Sequence, residues 1–469
     1  MDSSPAQLLL EPDLLELTLR EAVRGGGEFA EVFVEDRRSS SARLDDGRIE
    51  ELVSGRERGA GIRVVHGDTT GFAHTADLSP RGLRAAAAAA AGAARGGGDV
   101  RAVALPKAAT SYDNDVVVIP DTVPKATKIE MLKRADDAAR SEGAAIRSVS
   151  ASFAEGRRRI LVANSDGLLA TDERVRTRFY VQAVAAGDTG MQTGYDAPGR
   201  TMGFEYYDEF AVEDIARKAA RQALTLLDAV PAPSGKVPVV LMRGAGGVLF
   251  HEACGHGLEA DLVERDASVF AGRVGTKVAA NGVTLIDDGT YAKEWGTFAI
   301  DDEGQPARSN TLVDDGVLTD YMWDLVRARK QGRASSGNGR RETYQVLPMV
   351  RMTNTFVVAG ETDPDDIIAD TEFGVYCVQL GGGQVNTATG DFVFGVTEGY
   401  LIENGVITKP IRPAQLIGNG PATLRDIDAI GNDFATWSGM CGKSGQSVPV
   451  SSGQPTMRVQ NLTIGGTAS

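Results

Sequence analysis

Apolar and polar residues alternate along the first hundred positions in two ways, one typical of helices and the other of strands. Helical spacing covers residues 14–23, and the alanine-rich run 85–94 predicts an ordinary packed helix, because alanine has the highest helix propensity. Strand-like stretches lie between these helices, at residues 30–34, 61–65 and 71–75. The pattern predicts an N-terminal α+β domain over residues 1–98, with a hairpin turn at residues 44–47.

Helix, strands and helix follow one another a second time further along the chain. Helical patterns at residues 125–139 and 212–227 flank strand-like stretches that cover residues 146–154, 159–163 and part of 175–185. We therefore expect a central α+β domain over residues 125–230. A stretch with recurring prolines, residues 99–124, predicts a linker between the two domains.

Short strands and turn signals dominate the rest of the chain, residues 231–469. Asp-Asp-Gly or Asn-Gly sequences, which favour tight hairpin turns, occur at residues 287–289, 314–316 and 404–405. The expected fold class is α+β. N-terminal helix and sheet layers are followed by a mostly antiparallel β C-terminal region, which carries the metal-site helix described below.

Composition narrows the range of functions. The 469 residues are 42% hydrophobic, which is enough for two or three cores. There are 49 basic and 64 acidic residues, and the net charge of -15 repels polyanions, so we expect neither a nucleic-acid partner nor a membrane. Apolar runs are far shorter than the ~20 residues of a membrane helix, and the acidic N-terminus has no signal pattern. We therefore expect a cytoplasmic protein.

Two of the four histidines, His251 and His256, lie five residues apart and flank Glu252. Two imidazoles with one thiolate or carboxylate make a plausible ligand set for catalytic zinc. On a regular helix this spacing separates the side chains by about 140°, whereas the common four-residue spacing separates them by about 40°. Gly255 tolerates a wide turn with i to i+5 pairing, which would bring both imidazoles to one face, with Glu252 as general base. Otherwise the histidines are ordinary polar residues flanking a helix.

The third ligand cannot be deduced from local spacing. Glu259 and Asp261 follow the second histidine closely, and Cys254 lies between the two histidines. The three cysteines of the chain are too few for a disulfide framework, and Cys254 in an apolar helix favours simple packing. Cys441 lies in a glycine-rich turn near Lys443, a cation that favours the thiolate form.

Longer strings around these residues resemble the TldD/PmbA metallopeptidase family, and specifically its TldD branch. The strings are residues 250–259 (FHEACGHGLE), 337–342 (GNGRRE), 348–355 (PMVRMTNT), 440–443 (MCGK) and 445–450 (GQSVPV). The resemblance extends over essentially the full chain and is strongest from about residue 237 onward.

The resemblance implies a zinc ion held by His251, His256 and Cys441, with Glu252 as the catalytic base. It also implies a three-segment architecture and an unfolded or extended peptide substrate that reaches the metal through a closed assembly. The expected state is a heterodimer with a metal-free PmbA/TldE-type subunit, in which this chain is the active half. We favour Cys441 over Cys254 as the sulfur ligand, because Cys254 comes only three residues after His251.

The sequence therefore predicts a zinc-dependent peptidase that hydrolyses peptide bonds in unfolded or extended peptides, a reaction that includes the maturation of a small peptide. The alternative is a non-enzymatic regulatory protein that contains zinc and binds partners. A structural zinc site usually has four protein ligands, whereas a catalytic site has three and a water molecule. The number of ligands separates the two hypotheses.

Residues 337–340 (GNGR) are part of the resemblance, but their chemistry is not evident from the sequence. An arginine and an amide in a glycine-rich loop could hold a peptide backbone or a carboxylate. The simpler interpretation, which we favour, is a tight turn with a solvated Arg340.

Overall fold

The computed structural model describes residues 8–94, 104–106, 110–111, 116–188 and 190–466. Part of the predicted linker at 99–124 lies outside these residues. Helices and strands are mixed and strands predominate, which confirms the α+β fold class. Among the described residues, no helix has both the length and the hydropathy that a membrane span requires.

One sheet contains the strands of the first half of the chain. They are β1 (Phe29–Asp45), β2 (Arg48–His66), β3 (Thr69–Thr75), β4 (Thr110–Ser111), β5 (Ile146–Asn164), β6 (Leu169–Gly187), β7 (Gly190–Asp196) and β8 (Gly199–Arg200). The order is β3-β2-β1-β5-β6, with β4, β7 and β8 all paired to β6. Because β1 and β5 pair along their length, the sheet continues from the first predicted domain into the central one. The domain boundaries themselves stay a prediction.

The helices of the first half are α1 (Pro12–Val23), α2 (Pro80–Ala94), α3 (Lys125–Ser141), α4 (Tyr206–Glu209) and α5 (Val212–Thr225). Two pairs of them, α1 with α2 and α3 with α5, cover the sheet. The apolar faces of α1 and α2 share one core with β1 and β2, and those of α3 and α5 share a second core with β5 and β6. Apolar residues recur every three or four positions and form a stripe along each helix, as Leu15 and Leu19 do in α1.

The third region contains two larger sheets. Its strands are β9 (Gly235–Leu241), β10 (Leu285–Asp288), β11 (Ser309–Asp314), β12 (Val317–Leu318), β13 (Gly339–Arg340), β14 (Met349–Val350), β15 (Asn354–Val357), β16 (Phe373–Val385), β17 (Asp391–Glu403), β18 (Val406–Pro410), β19 (Ala414–Asn419), β20 (Ile427–Ile430), β21 (Ala435–Lys443), β22 (Gln446–Gln454) and β23 (Met457–Gly466). Its helices are α6 (Gly247–Phe250), α7 (Ala260–Val263), α8 (Leu325–Lys330), α9 (Pro364–Ala369) and α10 (Gly420–Arg425).

The predicted mostly antiparallel arrangement of this region is confirmed. One sheet has the order β12-β11-β10-β15-β22-β21, and the other has β16-β9-β23-β19-β17-β18 with β20 beside β23. Only the β15–β22 and β9–β16 pairs of these two sheets are parallel in the described chain. In the first order β21 is an end strand, and this position matters for the site described below.

Buried ion pairs join the first sheet to the third region. The guanidinium group of Arg63 donates to Glu31 at 2.8 Å and to Glu303 at 2.7 Å. Arg341 donates to Glu31 at 2.5 Å, and all four side chains are almost inaccessible to solvent. Removing one partner of a buried pair leaves an uncompensated charge, which is strongly destabilising.

Arg340 is also buried, so the interpretation of a solvated arginine in a tight turn is wrong. Its terminal nitrogen atoms donate to the main-chain carbonyl groups of Met352, at 2.5 Å, and Pro449, at 2.6 Å. Arg340 therefore links the glycine-rich loop to the segment before β15 and to β22.

The substitution Arg63→Met should lower the free energy of unfolding by about 3–5 kcal/mol, because Glu303 would lose its buried cation. Denaturation in urea measures this loss. Arg157→Met on the same sheet is the matched control, since the Arg157–Glu173 pair is about one-third exposed, and its loss should be much smaller. Equal losses would contradict a special role for the buried junction.

Candidate metal centre

The two histidines of the HExxxH sequence lie on a widened helical turn. Helix α6 continues into a π-helical turn, His251–Gly255, in which the amide of His256 donates to the carbonyl of His251. This i to i+5 pairing confirms the predicted distortion. A Cβ atom at position 255 would lie 2.2 Å from the sulfur of Met352, so any larger residue there would force the buried Met352 side chain to shift.

Cys441 on β21 completes a compact cluster with these histidines. The two imidazole rings are 5.1 Å apart between centroids, and the Cys441 Sγ atom is 3.3 Å from His256 Nε2. One potential ligand atom from each residue lies within 4.8 Å of the others, and all three residues are buried. Zinc ligands stand about 2.0–2.3 Å from the ion and hence roughly 3–4 Å from one another. These residues fit a zinc ion, and their role as ligands stays a prediction.

Electrostatics favours the metal-binding form of the cysteine. Burial raises the pKa of the Cys441 thiol, but the charges and hydrogen bonds of His251 and His256 outweigh it and lower this pKa well below its usual range. A thiolate is the form that binds metals. The Nδ1 atom of His251 is buried and has no hydrogen-bond partner among the described residues.

Glu259 and Lys443 form a second layer behind His256. A carboxylate oxygen of Glu259 lies 2.9 Å from His256 Nδ1, the ring nitrogen that does not face Cys441. Lys443 donates to Glu259 at 2.8 Å and to Asp261 at 2.7 Å. Burial raises the pKa of Glu259, but His256 and Lys443 lower it to about 2, so the carboxylate is charged. Such partners fix the tautomer and orientation of a ligating histidine.

These contacts bear on two points of the sequence analysis. Glu259 and Asp261, which were open as third ligands, instead hold Lys443, and Glu259 also contacts the far side of His256. Lys443 pairs with these carboxylates, so the histidines rather than the lysine favour the thiolate of Cys441. In the sequence, the sign of this second layer is a carboxylate three residues after a histidine. The same spacing also fits a carboxylate that binds the metal, so the sequence does not distinguish the two roles.

Cys254 faces away from the cluster. Its thiol donates to the carbonyl of Phe250 at 2.9 Å, within the same helical segment. Burial raises the pKa of this thiol to about 12, so it stays protonated. These contacts support packing as the role of Cys254.

Glu252 opens onto a cavity beside the cluster. Its side chain is 21% exposed, and its nearest carboxylate oxygen is 3.8 Å from His256 Nε2. The cavity has a volume of about 770 Å³ and is lined by His251, Glu252 and Cys441, together with residues of α5, β6 and β21. Cavities of this size accommodate small ligands or peptide segments.

Family models match three consecutive parts of the chain. Residues 30–94 match domain 1 of the PmbA/TldA metallopeptidases, residues 119–227 match the central domain and residues 234–466 match the C-terminal domain. The TldD metalloprotease homologue of Haemophilus influenzae is 38% identical over 453 residues, which cover 94% of this chain and 93% of that protein. The chain belongs to the PmbA/TldD metallopeptidase family.

Other relatives and solved structures are less similar in sequence. A zinc metalloprotease TldD homologue of Saccharolobus solfataricus is 30% identical over 266 residues, 56% of this chain and 59% of that protein. TldE from Thermococcus kodakarensis has a similar fold, with a TM-score of 0.77, 21% identity and coverage of 97% of this chain and 100% of that chain. A Thermotoga maritima protein described as a proposed modulator of a DNA gyrase has a TM-score of 0.80 at 21% identity, over 96% of this chain and 99% of that chain.

Substitution of the two cysteines should distinguish a ligand from a packing residue in this PmbA/TldD protein. Cys441→Ser should lose most of its bound zinc, because zinc binds a hydroxyl group far more weakly than a thiolate. Cys254→Ala should keep its zinc, since the Cys254 thiol donates to the helix backbone and the residue belongs to a buried apolar cluster. Metal analysis of the purified variants measures the zinc content. Loss of zinc in Cys254→Ala but not in Cys441→Ser would reverse the assignment.

Removal of the second-layer carboxylate should weaken metal binding without removing a ligand. Glu259→Ala should lower the zinc affinity about 10- to 100-fold, because His256 would lose the partner that orients it. Asp261→Ala is the matched control, since it also removes a carboxylate from Lys443 but none from His256. Competition with a chromogenic chelator measures both affinities. Equal weakening in the two variants would contradict an orienting role for Glu259.

Proposed function

We propose that this chain is a zinc-dependent peptidase that hydrolyses unfolded or extended peptides. The observation that carries the proposal is the partly exposed carboxylate of Glu252, which lies beside a buried His251–His256–Cys441 cluster and lines the same cavity. A general base has to reach both a water molecule and the substrate, and the partial exposure of Glu252 at the cavity supports this role.

His251, His256 and Cys441 would hold the zinc ion, and the site would retain one position for water or substrate. When bound, zinc supplies a Lewis acid that polarises the scissile carbonyl group and lowers the pKa of a water molecule. Glu252 would accept a proton from the attacking water molecule and later donate it to the leaving amine. A cluster of three donors beside a cavity supports this role over that of a structural zinc site, which usually has four protein ligands.

An extended substrate fits the position of β21. This strand carries Cys441 and pairs only with β22 in the described part of its sheet, and Trp437 and Met440 on it line the cavity. A peptide that adds as a further strand would be bound through its backbone, with little demand on its side chains. Degradation of proteins and maturation of a small peptide would use the same site.

We further propose that the chain pairs with a metal-free PmbA/TldE-type subunit. The support is the family membership of the chain and the similar fold of an archaeal TldE. In such a pair this chain would supply the metal site. The cytoplasmic location stays a prediction.

The substitution Glu252→Gln should lower hydrolysis of an unfolded protein such as denatured casein at least about 100-fold, because it removes the general base and keeps the shape of the side chain. Zinc content should be unchanged. Glu398→Gln is the matched control, since Glu398 lines the same cavity and should leave hydrolysis nearly intact. Hydrolysis is measured with and without a PmbA/TldE-type subunit, and a chelator should abolish it.

The opposite outcome is equally informative. If zinc is bound but no peptide is cleaved under any pairing, the peptidase proposal fails and the regulatory hypothesis replaces it. Full activity in zinc-loaded Glu252→Gln would instead assign the general base to another residue.

A further inference from the structure

Three arginines lie in a row on one face of β6, and their surroundings differ. Arg174 donates to Asp172 at 2.9 Å and to Asp302 at 2.9 Å. Arg176 donates to the main-chain carbonyl groups of Trp295, at 2.8 Å, and Thr297, at 3.0 Å. Both arginines are buried, and the third region supplies partners for their guanidinium groups.

Arg178, the next member of the row, lacks such partners. Its Nε atom donates to the carbonyl of Ala197 at 3.2 Å, and no carboxylate within the described chain forms an ion pair with it. The side chain is partly buried and lines the cavity beside the metal centre. Burial lowers the pKa of this guanidinium group, and the surroundings do not compensate fully for its lost hydration. Its two terminal nitrogen atoms are suited to bind a carboxylate in bidentate fashion.

Most other charged groups that line the cavity already have partners of opposite charge. Lys218 pairs with Asp196 at 3.2 Å, and Glu209 pairs with Lys293 at 3.0 Å. Arg243 lines the cavity and also has no ion-pair partner among the described residues, but it is exposed. Arg178 is therefore the unpaired cation at which a substrate carboxylate would be most shielded from water.

The contacts of Ala197 relate the position of Arg178 to that of the metal centre. The carbonyl of Ala197 accepts hydrogen bonds from Arg178 Nε and, at 3.2 Å, from the hydroxyl of Ser438. Ser438 precedes Cys441 by three residues on β21. At about 3.3 Å per residue, this separation is roughly 10 Å along the strand. An extended peptide beside β21 covers the same distance with three residues.

We propose that Arg178 binds a carboxylate of the peptide substrate, about three residues from the bond that is cleaved. The carboxylate belongs either to the C-terminus of the peptide or to an aspartate or glutamate side chain. This inference rests on the proposed function, because it assigns a substrate preference to the same cavity. It adds one side-chain contact to a site that otherwise binds the peptide backbone.

The test uses the full-length, zinc-loaded protein and a series of unstructured decapeptides rich in alanine and glycine. One series moves a single glutamate along the peptide, a second has glutamine at the same positions, and a third compares free and amidated C-termini. Paired peptides compete in one reaction, and mass spectrometry gives the cleavage sites and the ratio of kcat/KM. We expect a preference of about tenfold or more for a carboxylate two to four residues from the cleaved bond.

Arg178→Gln should reduce this ratio to about one, and Arg178→Lys should give an intermediate ratio, because lysine keeps the charge without the bidentate geometry. Arg243→Gln is the matched control, since it removes the other unpaired cation of the cavity and should preserve the ratio. The glutamate and C-terminal series show which carboxylate is recognised. Loss of the ratio in Arg243→Gln but not in Arg178→Gln would overturn the assignment.

A binding measurement separates this inference from the proposed function. Calorimetry on Glu252→Gln compares the Kd values of a glutamate peptide and its glutamine counterpart, with and without Arg178→Gln. An approximately tenfold difference that disappears with Arg178→Gln supports the carboxylate site, even if wild-type protein cleaves nothing and the peptidase proposal fails. Equal Kd values overturn the carboxylate site, whether or not peptides are cleaved.

Discussion

Buried ion pairs join the first sheet to the third region, and these two parts of the molecule supply the two walls of the cavity. The three largest apolar clusters lie on one side or the other of this junction, and among the described residues only a small cluster around Phe33 and Ile300 crosses it. Apolar packing has no preferred direction, whereas charge-assisted hydrogen bonds require a definite geometry. The pair Arg174–Asp302 is of this kind, and it ties β6, which lines one wall of the cavity, to the third region, which contributes β21 to the other wall.

The candidate site could be predicted in part. The spacing of His251 and His256 is compatible with one metal only on a widened turn, so a local pattern was sufficient for the π-helical geometry. The second layer required the structure. A carboxylate three residues after a histidine can reach either ring nitrogen, and only the position of Cys441 shows that Glu259 contacts the opposite one. The partners of Arg174 and Arg176 likewise required the structure, since Asp302 and Trp295 lie 128 and 119 residues away in sequence.

The fold shows the same limits. The predicted hairpin turn at Asp46 and Gly47 is confirmed, because both residues have positive φ values. Tight hairpin turns require such φ values and favour Asp-Gly sequences, so the local residue types were sufficient to predict this turn. The strands predicted at 146–154 and 159–163 are instead one strand, β5. It passes through Gly156 without interruption because β1 and β6 pair with it on both sides. The buried Arg341 could not be predicted, since its partner Glu31 lies 310 residues away and arginine is usually exposed.

The candidate metal centre joins two pieces of chain that are far apart in sequence. Cys441 and His256 are separated by 185 residues, and the strands between them must be in place before the thiolate can meet the imidazoles. A structural consequence is that a partly folded chain has no assembled site. In a peptidase this arrangement acts as a safeguard during biosynthesis, because the chain can cut unfolded polypeptides only after it is no longer unfolded itself.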